Sequence, residues 1–408
     1  MELLKEVIAD ISPSAEDKKK VEGIVKDILE KINRNFKEGK AILGGSGAKG
    51  TNLKTFDVDI FAKFNYGKYA DKSDFLADIL EKRLKKCFGR IARLHGSRDY
   101  FQIRAKKFTV EIIPILDVRN AKMAKNITDM SPLHAEWVLK HKKLRDEIRL
   151  AKQFCKAAGA YGAESYLQGF SGYVCEILTI HYGGFLKLIK AAAKWKPKQI
   201  IDIKGYYKGK DVFKEMNTSK LTSPLIVIDP IQKDRNAAAA LSDEKFNAFV
   251  DAAKNFLKKP SKSYFIARNI LDEPRENALA LRISPVEGKP DVVGSKLLKC
   301  VEEIARIIEK NEFTITRKRW DWDRKGDAIA VFRLKESSLP KTKKISGPPV
   351  EQKIHVERFK KKYKSTFRGG EKIFANIKRK VADRKDLFKI IKQDSFIRER
   401  CKNIEIIK

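Results

Sequence analysis

The chain has 408 residues, 42% of them apolar, and carries 88 Lys and Arg against 53 Asp and Glu, a formal net charge of +35. That is apolar material for roughly two to four cores, while no run has the length of a membrane span or the form of a signal peptide. Five cysteines (Cys87, Cys155, Cys175, Cys300, Cys401) and five histidines are scattered without paired spacing, which argues against a disulfide framework or a zinc cluster and fits a soluble protein of the reduced cytoplasm.

From the N-terminus, Val21, Ile24, Val25, Ile28, Leu29 and Ile32 recur at helical spacing behind Ser14, a capping residue, and predict a helix over 14–36. Strands are expected near 41–43 and over 58–64, a helix over 73–86, and strands near 90–95, 100–105 and 108–115. Together they make a mixed sheet with helices, a head over 1–130. Inside it, Gly44-Gly45-Ser46-Gly47-Ala48-Lys49-Gly50 reads as a glycine–serine turn whose free N–H groups suit phosphate. Asp57 and Asp59 follow at i and i+2, so an extended backbone turns both carboxylates to one face and Val58 and Ile60 to a core. Two hard oxygen ligands beside such a turn suit a magnesium nucleotide; a bare Asp-x-Asp is otherwise a solvated strand face or a turn. Glu111 stands alone in the apolar strand Phe108-Thr109-Val110-Glu111-Ile112-Ile113-Pro114-Ile115. An unpaired acid there costs several kcal/mol, so it needs a bound cation or a buried salt bridge.

Residues 131–258 read as a largely helical neck. Ser131 caps a helix with Pro132 at its first position, and His134 lies in the first turn, where free N–H groups favour phosphate. Gly159 ends the helix carrying Lys152, and Tyr161 between Gly159 and Gly162 sits in a turn that exposes its hydroxyl. Taken singly, His134 also reads as a packing or capping histidine, Lys152 as a surface lysine and Tyr161 as a buried tyrosine. A helix over 170–182 breaks at Gly183-Gly184 before another to 195, and a buried strand over 225–228 ends at Asp229-Pro230. Arg235 follows in a polar connection, either as a surface ion-pair partner or as a fork of donors for a base edge.

Lys258-Lys259-Pro260-Ser261 marks a boundary. A strand over 278–283, a helix over 295–309 and a hairpin of 313–322 and 327–334 predict a ferredoxin-like body over 259–340, with Trp320 and Trp322 on one hairpin face, as core or as a surface that stacks on RNA. Residues 341–408 read as a basic tail. From 338 to 408 there are 22 basic and 8 acidic residues, a net of +14, more than twice an even share, as on a nucleic-acid face; part of the overall excess is ordinary lysine on helix surfaces. The fold class is α+β and multidomain.

The glycine–serine turn, the Asp-x-Asp and the third carboxylate resemble the polymerase-beta-like nucleotidyltransferase superfamily. Ser131-Pro132-Leu133-His134, Arg149-Leu150-Ala151-Lys152, Gly159-Ala160-Tyr161-Gly162-Ala163-Glu164, Gly169-Phe170-Ser171-Gly172-Tyr173, and Asp229-Pro230 with Asp234-Arg235-Asn236-Ala237-Ala238 narrow the resemblance to the archaeal-type (class I) CCA-adding enzymes. This resemblance implies template-independent addition of CCA to the 3′ end of tRNA from CTP and ATP, with two Mg²⁺ ions on Asp57, Asp59 and Glu111 and release of pyrophosphate. It places Gly45, Ser46, Lys49, Ser131, His134, Lys152 and Tyr161 at the incoming nucleotide, Arg235 at its base and tRNA on the basic body and tail, and it allows a homodimer. Two positions depart from the pattern: the third carboxylate is usually Asp, and Lys49 replaces an arginine, one mobile charge for a fork. A poly(A) polymerase or an oligoadenylate synthetase shares the carboxylates, and a non-catalytic RNA-binding protein on this fold is the reading from another class.

Overall fold

The helical spacing behind Ser14 forms α2 (Ala15–Asn35), preceded by α1 (Glu2–Ile11), in the computed structural model, which describes residues 2–54, 57–105, 108–267, 269–272 and 276–407. Ser14 Oγ accepts from the Asp17 N–H at 3.0 Å, satisfying one of the helix's open donors. The chain divides into two compact units, Met1–Arg268 and Asn269–Lys408.

The first unit opens with β1 (Gly39–Leu43), α3 (Gly45–Lys49), β2 (Val58–Phe64), the short α4 (Tyr66–Tyr69), α5 (Leu76–Cys87), β3 (Ala92–Leu94), β4 (Tyr100–Ala105) and β5 (Phe108–Leu116). The strands order as β1-β2-β5-β4-β3; β2 and β5 run parallel and the other pairs antiparallel. Val25, Ile28 and Ile32 of α2 and Leu76, Leu80 and Leu84 of α5 share one core with Val58, Ile60, Phe101 and Ile112 of the sheet. The period of two then sends Asp59 and Glu111 to the other face.

The helical part comprises α6 (Ser131–Leu139), α7 (Arg145–Ala157), α8 (Gly172–Tyr182), α9 (Phe185–Ala192), β6 (Gln199–Ile201), α10 (Val212–Glu215), β7 (Leu225–Val227) and α11 (Asp243–Lys258). Met130, not Ser131, occupies the capping position of α6, and Pro132 is its second residue. Gly183, at φ +71, closes α8 in the left-handed conformation that glycine adopts most readily. The core here is aromatic, built on Phe154, Phe170, Phe185, Phe249 and Phe256, and it also takes in Val7 and Ile11 of α1 and Leu53. The N-terminal helix therefore packs with the neck, and the expected division at residue 130 does not separate two bodies. A second, smaller core of Val212, Met216, Leu221, Ile226 and Ile228 lies beside β6 and β7.

The second unit contains β8 (Ala278–Pro285), α12 (Pro290–Lys310), β9 (Ile315–Asp321), β10 (Ala328–Leu334), β11 (Thr342–Pro349), α13 (Lys353–Lys362), β12 (Thr366–Gly369), β13 (Lys372–Lys378), α14 (Arg384–Gln393), α15 (Ser395–Arg398) and β14 (Cys401–Ile406). Its main sheet runs β14-β8-β10-β9, antiparallel throughout. With α12 and α14 this is the β-α-β-β-α-β arrangement of a ferredoxin-like fold. The last residues of the expected tail thus complete the body, and only 342–378 forms a separate sheet, β11-β13-β12. Trp322 takes the core alternative: it is buried, and its Nε1–H donates to the Gly326 carbonyl at 2.9 Å, but it does not share a strand face with Trp320. Because β9 stops at Asp321, strand alternation does not carry through to Trp322.

Thr342 and Lys378 are paired across β11 and β13, so the ends of the inserted sheet lie side by side. Truncation at residue 341 removes β14 and is expected to abolish the cooperative melting of the second unit. Replacing 343–377 by a short turn is expected to preserve it in calorimetry. A truncated chain that still melts cooperatively in that unit would show that β14 is dispensable.

Candidate active site

Parallel pairing of β2 with β5 sets Asp59 directly opposite Glu111, and the antiparallel β4 sets Gln102 opposite Glu111 on its other side. Gln102 Nε2 donates to Glu111 Oε1 at 2.8 Å, an amide partner that neither sequence alternative foresaw. Asp57 is exposed just before β2 begins. Burial, and then the neighbouring Glu111 carboxylate, push the Asp59 carboxyl up to about 7, while Lys49 and Lys152 pull it the other way. The strands therefore present a ledge of acids whose inner member resists ionisation unless positive charge comes close.

The glycine–serine segment meets that ledge. Gly44 N–H donates to the Asp59 carbonyl at 2.7 Å, and a Cβ on Gly45 would stand 1.6 Å from Asp59 Oδ2. Gly45 also has φ +55, so only glycine fits both the turn and the approach. The segment is a one-turn helix, α3, instead of an open turn, because Gly45 reverses the chain out of β1 and Gly50, at φ +65, stops it. Ser46 lies in this turn, among N–H groups that a helix leaves without backbone partners.

One face of α7 closes the far end of α3. Arg145 Nε donates to the Lys49 carbonyl at 3.0 Å, Arg149 Nη2 to the Gly50 carbonyl at 2.7 Å, and Arg149 Nε to the Asn52 carbonyl at 2.9 Å. Lys152, two turns along the same face, reaches Thr51 Oγ1 at 3.0 Å. The fully buried Glu176 of α8 then joins three groups: Lys49 Nζ at 2.6 Å, Lys152 Nζ at 2.7 Å and Thr51 Oγ1 at 2.6 Å. Burial by itself would raise the Glu176 carboxyl, but the Lys152 and Lys49 ammoniums hold it down at about 2. Tyr161 is half-buried, not exposed as expected, and burial pushes its phenol far up. Its hydroxyl lies so near Gly172 that a Cβ there would come within 2.8 Å of it and 3.6 Å of Lys152 Cε.

A second buried carboxylate organises the remaining candidates. Asp229 accepts from the Ile231 N–H at 2.8 Å and from the Tyr173 hydroxyl at 3.3 Å, and it pairs with the Arg235 guanidinium. His134 Nε2 stands 3.2 Å from Asp229 Oδ2, and its ring stacks on Tyr173 with centroids 4.2 Å apart. Burial works to raise the Asp229 carboxyl, but His134 and Arg235 outweigh it and hold it below the usual range. Arg235 is thus an ion-pair arginine whose partner is internal to the site. Tyr173 and Glu176 are three residues apart on α8, so one helix face links the two carboxylate clusters. Ser131 is the first residue of α6, one turn from His134.

Sequence reasoning missed Glu176, Asp229, Thr51, Tyr173 and Gln102 as site residues. Glu176 carried the same signal as Glu111, a lone acid in an apolar run, Val174-Cys175-Glu176-Ile177-Leu178. Its partners Lys49 and Lys152 lie 127 and 24 residues away, and no local pattern reports that.

A model of the nucleotidyltransferase domain matches residues 25–133, one of the second domain of tRNA nucleotidyltransferase matches 146–266, and one of the C-terminal domain of CCA-adding enzyme matches 277–400. The CCA-adding enzyme of Nanoarchaeum equitans is 36% identical over 362 residues, covering 87% of this chain and 88% of its own. That of Methanocaldococcus jannaschii is 33% identical, covering 96% and 90%. Among solved structures, a MgATP-bound Cid1 poly(U) polymerase superposes with a TM-score of 0.53 at 14% identity, over 65% of this chain and 98% of that one, a likeness of fold alone. Three domain models in order and such relatives along nearly the whole length leave one assignment: the chain belongs to the CCA-adding enzyme family of tRNA nucleotidyltransferases.

Proposed function

We propose that this chain rebuilds the CCA end of tRNA from CTP and ATP, without a nucleic-acid template, at the ledge of Asp57, Asp59 and Glu111. The observation that carries the assignment of the site is the in-register Asp59–Glu111 pair against which Gly45 closes. A divalent cation suits these residues, because burial and Glu111 hold Asp59 at about 7 and a nearby cation relieves that strain. Among the described residues no three acidic, histidine or cysteine side chains form a ready-made cage. Magnesium is usually held by one or two carboxylates together with substrate phosphates. Two such ions, when bound, supply Lewis-acid activation of the 3′-hydroxyl and charge for the leaving pyrophosphate.

The protein's own part is placement. Asp57, Asp59 and Glu111 hold the metal-bearing end of the triphosphate. The N–H groups at the start of α3 and the Ser46 hydroxyl take phosphate oxygens. Lys49 and Lys152 share one carboxylate between two ammoniums, which leaves a net positive charge for the β- and γ-phosphates. Tyr161 and Ser131 border the same phosphates, His134 orients the nucleotide, and Arg235 offers its donors to the base edge. Positioning and fixed charge are the main means of catalysis in phosphoryl transfer. The reaction is proposed to take place in the cytoplasm; among the described residues no helix is long and apolar enough to cross a membrane.

Asp57→Ala and Asp59→Ala are each expected to lower CMP and AMP transfer by at least about a thousandfold, with tRNA affinity in filter binding retained. Glu111→Gln is expected to be severely defective and Glu111→Asp active. Near-normal turnover of any of the neutral variants removes that carboxylate from the site.

The Asp59 carboxyl sets a pH dependence. Its folded pKa of about 7 lies above the unfolded value of roughly 4. In metal-free protein it therefore favours the folded state at low pH, and that contribution is lost as the pH rises through 7. A divalent ion needs the ionised form, so Mn²⁺ affinity, followed by water-proton relaxation, should be flat above about pH 8 and fall about tenfold per unit below 7. Asp59→Asn should bind weakly with no such break; a break that survives the substitution belongs to another group.

The inserted sheet, residues 342–378, carries 11 basic and 3 acidic residues. Excising it at the Thr342–Lys378 pair is expected to weaken tRNA binding and to flatten its salt dependence, since each lost phosphate contact removes about 0.7–0.9 of log–log slope. A folded, excised chain with an unchanged slope takes the insertion off the tRNA-binding surface.

A further inference from the structure

The excursion from Asp229 to Asn236, which carries Arg235, is gripped from outside by one small lobe. The Tyr206 hydroxyl donates to the Pro230 carbonyl at 2.8 Å, the Tyr207 hydroxyl to the Lys233 carbonyl at 2.9 Å, and Lys220 Nζ to the Asp234 carbonyl at 2.6 Å. All three carbonyls lie between Asp229 and Arg235. Asn236 closes the base of the excursion: its Nδ2 donates to the Lys220 carbonyl at 2.9 Å, and its Oδ1 accepts from the Val227 N–H at 2.9 Å.

The lobe that supplies these grips is itself fixed. Tyr207 packs against the core of Val212, Met216, Leu221, Ile226 and Ile228, and its N–H donates to Asp202 Oδ2 at 2.8 Å. Gly205 at φ +65 and Gly209 at φ +74 turn the chain on either side of the tyrosine pair. The excursion is thus held at its carbonyls by the lobe and at its first residue by the Asp229 network. Lost grips would let it drift. A donor fork reads a base edge only along fixed directions, and small displacements in such a site cost much of its effect.

We propose that Tyr206 and Tyr207 are specificity-determining positioning residues, whose hydroxyls set the pose of the 230–235 excursion and so aim the Arg235 guanidinium at the base of the incoming nucleotide. This rests on the base-reading role proposed above for Arg235. The tyrosines touch no reacting atom; they act through the backbone of the excursion. Nucleotide choice in this chain is therefore set partly by a lobe with its own core, separate from the carboxylate ledge.

The test uses the full chain with tRNA lacking its CCA end, comparing wild type, Tyr206→Phe, Tyr207→Phe, the double variant, Lys220→Met and Arg235→Ala. Incorporation of all four nucleotides in competition, KM, kcat and thermal midpoint are measured for each. Loss of both hydroxyls is expected to raise the KM for CTP and ATP, and UTP and GTP misincorporation, by about threefold to tenfold, with a smaller change in kcat. Adding the double substitution to Arg235→Ala is expected to change selectivity no further, because the two act on one function. Wild-type selectivity in the double variant beside a defective Arg235→Ala overturns the positioning role and leaves the base reading standing. A lowered thermal midpoint with unaltered selectivity overturns it too, as does additivity in the combined variant. Wild-type selectivity in Arg235→Ala itself overturns the base reading, and the proposal with it. Should the double variant not fold, the single variants and Lys220→Met read the same quantities.

Discussion

A carboxylate with no exposed surface, Glu176, takes the ammoniums of Lys49 and Lys152 and the hydroxyl of Thr51, each within 2.7 Å. Removing three charges from water costs several kcal/mol per ion, and only close, multiple contacts offset it. Here they also fasten α3 to α7 and α8, since Lys49 ends α3 and Lys152 stands on α7. Three charges do not cancel. Burial lowers the pKa of the Lys152 ammonium; while both lysines stay protonated, one positive charge is left over beside the acid ledge, and Asp59 senses both lysines. A cation-bearing triphosphate carries the complementary pair of charges, which is why this buried node underlies the proposed chemistry.

The second node, Asp229, works by the same logic on different partners. Its ionised form is kept by His134 and Arg235 against the effect of burial, and Tyr173 supplies both a hydroxyl to Asp229 and a ring to His134. Satisfied buried networks of this kind rigidify their surroundings, and partly satisfied ones are costly. Because Tyr173 and Glu176 occupy one face of α8, the two nodes hold a fixed spacing. Side chains with long, entropic stems, two lysines and an arginine, are thereby ordered before any ligand arrives, and ordering of this sort lowers the cost of binding.

The second unit solves another problem. Its sheet needs a fourth strand beside β8, and the chain provides it only after a detour, the 66 residues 335–400 that separate β10 from β14. The inserted sheet in that detour returns to its own starting point, where Thr342 faces Lys378. On it Lys344 lies over the rings of Phe374 and Phe367, with Nζ 3.8 and 5.1 Å from their centroids, so an excess of lysine is partly stabilised by aromatic faces. An insertion whose ends meet can carry charge without disturbing the fold that hosts it.

Much of the first unit was legible in the chain itself. Alternation along the strand of Asp59 and the lone acid in the strand of Glu111 placed both strands in one sheet, because burial of one strand face is encoded residue by residue, whereas Asp57 lies just before β2. Ser14 as a cap and Gly183 as a stop were equally local. The ordered motifs of the neck carried the family. What the chain did not disclose are the partners. Glu176 finds Lys49 across 127 residues, Asp229 finds His134 across the helical part, and Tyr206 and Tyr207 find the carbonyls of Pro230 and Lys233. Local patterning says that a buried acid needs a partner, but not which one. Likewise the basic composition after residue 340 suggested a separate tail, whereas β14 returns to pair with β8. Pairing between distant segments depends on which surfaces the completed cores leave adjacent, and only the tertiary structure decides that.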